Sequence, residues 1–161
     1  MDTTLLRDTY EQLAASAEPA RFRSPVQAGP EWPVEMVVAH VIATNRTLVL
    51  LGTQVLDGRE ASYAGETLSV QPAWLEAIVR SAGSYAGLVV ALRQSSIELL
   101  ALADHFDDQA AGRTFSFGKS SWTFPELLRT YVTPLVRHAR QISTLIGTAP
   151  NGPVSAPSRI A

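Results

Sequence analysis

Two histidines are the residues in this sequence best suited to chemistry. The chain has three histidines and no cysteine, so imidazole is its most versatile proton carrier and metal ligand, and any thiol must come from another molecule. His40 and His138 each fall on the apolar face of a helix-like segment, which points both rings toward the interior of a helical bundle. The residues that share these faces are Val37, Val41, Thr44 and Leu48 for His40, and Tyr131, Leu135, Ile142 and Leu145 for His138.

Each histidine also has a simpler interpretation. A single histidine facing the interior of a bundle is often a core residue whose ring is hydrogen-bonded to a carbonyl or another side chain. The third histidine, His105, stands beside Asp104 and Asp107, where a solvated helix end is favoured over a second metal cluster. The spacing alone leaves both interpretations of His40 and His138 open.

Four helical segments must position these histidines. Apolar residues recur every three or four positions over residues 3–16, 33–56, 72–104 and 123–146. This period predicts four helices, the third of them about 30 residues long, and therefore an all-α fold. The arrangement that best buries four such faces is a four-helix bundle.

The ends of the last segment carry specific signals. Thr123 and Glu126 are spaced as in a capping box, in which each side chain satisfies a backbone N–H at the start of a helix. Gly147 is a natural C-terminal stop for the same helix. Residues 113–118 are short and aromatic, which indicates a strand-like loop over one end of the bundle.

The length limits the chain to one domain. At 161 residues and 17.4 kDa, residues 1–147 form the predicted bundle, with residues 19–33 as an extended connection because they contain four prolines. Residues 148–161 hold three prolines and few residues to bury, so we expect a flexible C-terminal tail.

Charge and hydropathy exclude several classes of function. The 13 basic and 15 acidic residues give a net charge of −2, so we expect no nucleic-acid partner. The apolar stretch over residues 36–56 contains Arg46 near its centre, which favours a buried core helix over a membrane span. No signal-peptide pattern occurs at the N-terminus, and we expect a cytoplasmic protein with no membrane contact.

Two short motifs resemble those of the DinB/YfiT-like superfamily. Trp32 precedes His40 with seven residues between them, and His138 is followed by Gln141 and Ile142. With Asn45 after His40, the pattern is similar to that of the mycothiol-dependent maleylpyruvate isomerase-like branch. The resemblance covers about residues 3–146 and implies a bundle with up-down-down-up order and a ligand pocket at one end. It also makes a homodimer an expectation.

The resemblance implies a metal site that this chain departs from. In the family a divalent metal, often zinc or nickel, is held by one histidine of the second helix and two residues of the fourth. These positions correspond to His40, His138 and Pro134, and proline has no donor for a metal. We therefore predict a degenerate metal site. Glu35 is a poor substitute ligand because it lies five residues before His40, off its face, and His105 with the aspartates beside it could serve if the fold brings them near.

The function predicted from these features has two forms. The first is a small-molecule transferase or isomerase that uses a thiol cosubstrate, or a metal-free derivative in which His40 and His138 are the catalytic acid and base. In this form Asn45, Arg137 and Gln141 are the predicted cofactor-binding residues. The alternative is a non-catalytic small-ligand-binding protein or a stress-related dimeric scaffold. Helical spacing does not choose between them.

Overall fold

Helices dominate the computed structural model, which describes residues 2–18, 32–63, 70–117 and 119–147. The predicted all-α fold is confirmed. The predicted tail over residues 148–161 and most of the predicted connection, residues 19–31, lie outside the described residues. The helices are α1 (Thr4–Ala17), α2 (Val34–Leu56), α3 (Pro72–Ala82), α4 (Tyr85–Asp104), α5 (Asp108–Ala111) and α6 (Phe124–Leu145), and the strands are β1 (Ser62–Tyr63), β2 (Thr114–Phe117) and β3 (Ser120–Thr123).

The four long helices α1, α2, α4 and α6 form the bundle. Asn45 of α2 is hydrogen-bonded both to Ser95 of α4 and to Tyr131 of α6. A Cβ placed on Gly52, two turns further along α2, would lie 2.7 Å from Leu102 of α4 and 2.6 Å from Phe124 of α6. Residue numbers therefore increase in the same direction along α2 and α4 and in the opposite direction along α6. Hence α2 runs parallel to α4 and antiparallel to α6.

The first helix completes the order of the bundle. The Tyr85 hydroxyl at the start of α4 donates to the carbonyl of Ala17 at the end of α1, and Thr3 before α1 contacts Asp104 at the end of α4. Hence α1 is antiparallel to α4 and parallel to α6. The order is up-down-down-up, as the family resemblance implies.

The prediction of a single third helix over residues 72–104 is wrong. Gly83 adopts a left-handed conformation with φ of 69° and ends α3, because glycine enters this region without a Cβ penalty. Ser84 then caps α4 by accepting the backbone N–H of Gly87. A Cβ on Gly87 would lie 2.1 Å from the Ala82 carbonyl oxygen, so the junction requires glycine there as well.

The segment predicted to be strand-like is strand β2 of a small sheet. Strand β2 pairs antiparallel with β3, with Thr114 opposite Thr123, and parallel with β1. The hairpin places Arg113 beside the end of α2, where its guanidinium donates to the carbonyls of Val55 and Leu56 at 2.8 Å each. The Val55 carbonyl also accepts the backbone N–H of Gly58 just after the helix, so Arg113 adds a side-chain cap to the end of α2.

Two helices are long and apolar enough to cross a membrane by length and composition alone, Val34–Leu56 and Tyr85–Asp104. Within the fold, 56% of the most apolar stretch of the first and 44% of that of the second is buried. A core helix of a bundle has this same character because it must bury one face against its neighbours. The absence of membrane contact stays a prediction.

The predicted capping box at the start of α6 is present. Thr123 donates its backbone N–H and its hydroxyl to the Glu126 carboxylate at 2.9 and 2.8 Å, and its hydroxyl oxygen accepts the Glu126 N–H. The two hydrogen bonds from Thr123 hold the pKa of the Glu126 carboxyl below its usual value. The helix then continues without a break through Pro134 to Leu145.

We expect Thr123→Ala to lower the free energy of unfolding by about 1 kcal/mol, the usual cost of losing a threonine N-cap. Thr130→Ala is the matched control, because Thr130 is exposed in the interior of the same helix and alanine has the higher helix propensity there. Urea unfolding followed by circular dichroism gives both values. Equal stability of the two variants would contradict a contribution from the cap.

Candidate functional site

The imidazole rings of His40 and His138 lie together at one end of the bundle. Their centroids are 5.0 Å apart and their planes are inclined at 72°, an edge-to-face arrangement. Both side chains are half-buried, so part of each is exposed to solvent. The two rings are adjacent, as the helical phase predicts, and their role as a functional site stays a prediction.

The antiparallel register of α2 and α6 produces this juxtaposition. Gly52 lies against Phe124 at the far end, and Asn45 contacts Tyr131 in the middle. Continuing in the same direction, toward the start of α2 and the end of α6, leads to His40 and His138, whose rings are in contact. The two histidines are 98 positions apart in the sequence but adjacent in the fold.

Trp32 and Gln141 fix the two rings from either side. The Trp32 ring stands edge-on to His40, with centroids 5.6 Å apart, just before α2 begins. On α6, Nδ1 of His138 lies 3.3 Å from the side-chain Oε1 of Gln141, one turn further on. When Nδ1 donates its proton to this oxygen, Nε2 of His138 is left as the proton acceptor.

The electrostatic environment keeps His138 neutral. Burial lowers the pKa of His138 below its usual value, and the adjacent His40 and the charge of Arg137 lower it further, against the opposing effect of Gln141. A positive charge on His138 is unfavourable in a partly dry site. The neutral form of His138 therefore dominates at pH 7, which is the form that accepts a proton.

The three residues predicted to bind a cofactor occupy different positions. Gln141 is at the site and contacts His138. Arg137 is next to His138 along the chain but is exposed. Asn45 is fully buried, and both polar atoms of its amide are engaged within the protein. The structure thus gives Asn45 a role in packing, whereas cofactor binding by the other two stays a prediction.

The partners of Asn45 form a buried polar cluster that the sequence analysis missed. Its side-chain oxygen accepts the hydroxyls of Tyr10 at 2.5 Å and Tyr131 at 3.3 Å, and its nitrogen donates to Ser95 at 3.1 Å. The cluster joins α1, α2, α4 and α6 beneath the histidines. The signal was present in the sequence, because an asparagine on an otherwise apolar helix needs buried partners.

Burial raises the pKa of Tyr10 well above its usual value, and the unfavourable charge interaction with Tyr131 raises it further. Burial also raises the pKa of Tyr131. Both hydroxyls therefore remain protonated and act as donors to Asn45. They support the site from below and do not exchange protons with it at neutral pH.

The residues present do not fit the three-ligand metal site that the family resemblance implies. His40 and His138 supply two imidazoles, and no third histidine, cysteine, aspartate or glutamate joins them within residues 2–18, 32–63, 70–117 and 119–147. Catalytic zinc sites generally use three protein ligands and one open position. Pro134, one turn before His138, is half-buried in an intact helix.

The aspartates considered as substitute ligands lie at the other end of the bundle. Asp104 ends α4 beside Thr3, and Asp107 caps the short helix α5 by accepting the N–H of Ala110. His105 bonds with its own helix, its Nδ1 lying 2.7 Å from the carbonyl oxygen of Ala101. These residues cannot complete a site with His40 and His138, and His105 has the solvated helix-end position that the sequence favours.

Comparison with known proteins agrees with the motifs around the two histidines. Searches of curated proteins and of solved structures gave no match. A family model described as the mycothiol maleylpyruvate isomerase N-terminal domain matches residues 4–143, and this family is of the DinB/YfiT-like kind. The match spans every long helix and both site histidines. The chain therefore belongs to the mycothiol maleylpyruvate isomerase N-terminal domain family.

Proposed function

We propose that this protein is a small-molecule transferase or isomerase that uses a low-molecular-weight thiol such as mycothiol, with His40 and His138 as its catalytic pair. The observation that carries the proposal is the 5.0 Å separation of the two half-buried imidazoles. Family membership supports the reaction class. The chain contains no cysteine, so the thiol in this reaction belongs to the cosubstrate.

The protein's residues supply proton transfer in the proposed reaction. Neutral His138 accepts the proton of the thiol, whose own pKa is about 8.5, and the resulting thiolate is the stronger nucleophile. The thiolate sulfur bonds to an electrophilic carbon of a substrate double bond while the π electron pair moves to the neighbouring group. An N–H of His40 hydrogen-bonds the negative charge that develops there.

The two reaction outcomes differ in what happens next. In a transfer, the imidazolium of His138 returns its proton to the carbanion and the carbon–sulfur bond remains. In an isomerisation, the former double bond rotates, the carbon–sulfur bond breaks, and the departing thiolate regains the proton. Both outcomes leave His138 neutral for the next cycle, and neither changes the oxidation state of the thiol overall.

The test is turnover of maleylpyruvate with mycothiol, followed by the change in ultraviolet absorbance. We expect His40→Ala and His138→Ala each to reduce the rate by about 10²–10⁴-fold, the usual contribution of a positioned acid or base. His105→Ala is the matched control, because His105 is exposed at the other end of the bundle. Full activity in either site variant, with folding intact by circular dichroism, would overturn the assignment.

The second candidate is a non-catalytic protein that binds a small molecule at the same site. It is favoured by the departure at Pro134, which removes a metal ligand position from the fold without disturbing α6. This candidate predicts binding of the thiol with no turnover and little loss of binding in His138→Ala. Calorimetric titration with the thiol, beside the turnover assay, separates the two. We also propose that the protein is cytoplasmic and that it forms a homodimer. Gel filtration tests the homodimer.

A further inference from the structure

We infer that the His40–His138 pair works without a divalent metal because the described part of the chain supplies no third ligand beside it. A histidine placed at position 134 should then create a three-ligand zinc site. The inference concerns the site of the proposed function and rests on that function only for its biological meaning. Its geometric content can be tested with the metal itself.

The neighbours of the two histidines on their own helices contain no metal ligand. On a helix surface the nearest neighbours of His40 and His138 are the residues three or four positions away. None of the eight residues at these positions is a histidine, cysteine, aspartate or glutamate, the side chains that ordinarily hold zinc. They are Met36, Val37, Ala43 and Thr44 on α2, and Pro134, Leu135, Gln141 and Ile142 on α6.

Most of these positions are already committed to the fold. Ile142 and Leu135 are fully buried in the core, and Thr44 donates its hydroxyl to the carbonyl of His40. Gln141 contacts Nδ1 of His138. Each of these side chains has a structural partner that a metal ligand in its place would lose.

Position 134 differs because its backbone and its surroundings suit a ligand. It lies one turn before His138 on α6, and residues four positions apart share one face of a helix. The helix is continuous from Phe124 to Leu145, so a histidine at 134 would have helical geometry. It would also restore the N–H that donates to the carbonyl of Thr130. The side chain is half-buried, as those of His40 and His138 are.

The experiment compares zinc binding by four tag-free proteins: the natural chain, Pro134→Ala, Pro134→His, and Pro134→His combined with His40→Ala. Pro134→Ala is the matched control, because it restores the backbone N–H and adds no ligand. Bound zinc after dialysis is measured by mass spectrometry, and affinity by competition with a chromophoric chelator. Substituting cobalt adds a visible spectrum that reports tetrahedral coordination.

We expect the natural chain and Pro134→Ala to retain almost no zinc. Pro134→His should retain about one equivalent per chain with an affinity about a hundredfold or more higher, because a third imidazole joins two that are already in place. Adding His40→Ala should abolish this gain. Pro134→Glu serves as a second ligand variant if the histidine variant does not fold by circular dichroism.

Two results would overturn the inference. One is about one equivalent of zinc in the natural chain that is lost on His40→Ala, since the two imidazoles would then suffice. The other is a folded Pro134→His or Pro134→Glu that gains no affinity, since position 134 would then not face the pair. The proposed function is tested separately, by turnover in His40→Ala and His138→Ala.

Discussion

Replacing Asn45 with alanine is expected to lower the free energy of unfolding by about 3–5 kcal/mol, because it removes the hydrogen-bond partner that three buried hydroxyl groups share. The hydroxyls of Tyr10 and Tyr131 lose the side-chain oxygen of Asn45 as an acceptor. The hydroxyl oxygen of Ser95 loses the Asn45 N–H that donates to it. A buried group without a partner costs about 1–3 kcal/mol. Chemical unfolding followed by circular dichroism measures the change.

Tyr131→Phe provides the graded control for this prediction. It removes the longer of the two hydroxyl contacts to Asn45, at 3.3 Å, and leaves no buried group of its own unpaired. We expect it to cost about 1 kcal/mol, the net value of an ordinary hydrogen bond. If Asn45→Ala cost no more than Tyr131→Phe, the cluster would not hold the four helices together.

Phe124→Ala is expected to lower the free energy of unfolding by about 3–5 kcal/mol, as large-to-small changes at buried aromatic residues do. Phe124 is fully buried at the start of α6 and stacks on Phe106, with ring centroids 4.6 Å apart. Its ring also fills the space above Gly52. Thermal and urea unfolding would measure the loss.

The contact between Phe124 and Gly52 allows a second, more specific test. In the natural chain Gly52→Ala should cost about 1–3 kcal/mol, because its Cβ would overlap the Phe124 ring and Leu102. In the Phe124→Ala background the same change should cost less, since the overlap with the ring is gone, only the overlap with Leu102 remains, and alanine has the higher helix propensity. If Gly52→Ala had the same effect in both backgrounds, the two positions would not be coupled, and α2 and α6 would separate freely at this point.

The sequence was most informative where a local rule fixes the structure. The Thr123–Glu126 capping box needs four consecutive residues, and it is present as predicted. The inward phase of His40 and His138 follows from the 3.6-residue period alone, and the bundle brings the two rings together. Family membership was likewise predictable, because the motifs around both histidines resemble those of the superfamily, and the family model matches residues 4–143.

The predictions failed where one local signal was weighed against a longer pattern. Apolar residues continue at helical spacing across Gly83 and Ser84, so the period hid a glycine stop followed directly by a serine cap. The resemblance predicts that Asn45 binds a cofactor, whereas its partners in the fold stand 35, 50 and 86 residues away along the chain. No local rule links an asparagine to tyrosines at such distances.

The order of the helices constrains how the chain can fold. Because α1 packs side by side with α6, the first helix synthesised cannot meet one of its main partners until the last has been made. More than a hundred residues form the intervening loop, and closing it carries an entropic cost before any contact compensates. We therefore expect slower folding than in bundles whose successive helices are simple hairpins. During translation, the apolar face of α1 awaits a partner that emerges at the end of the bundle.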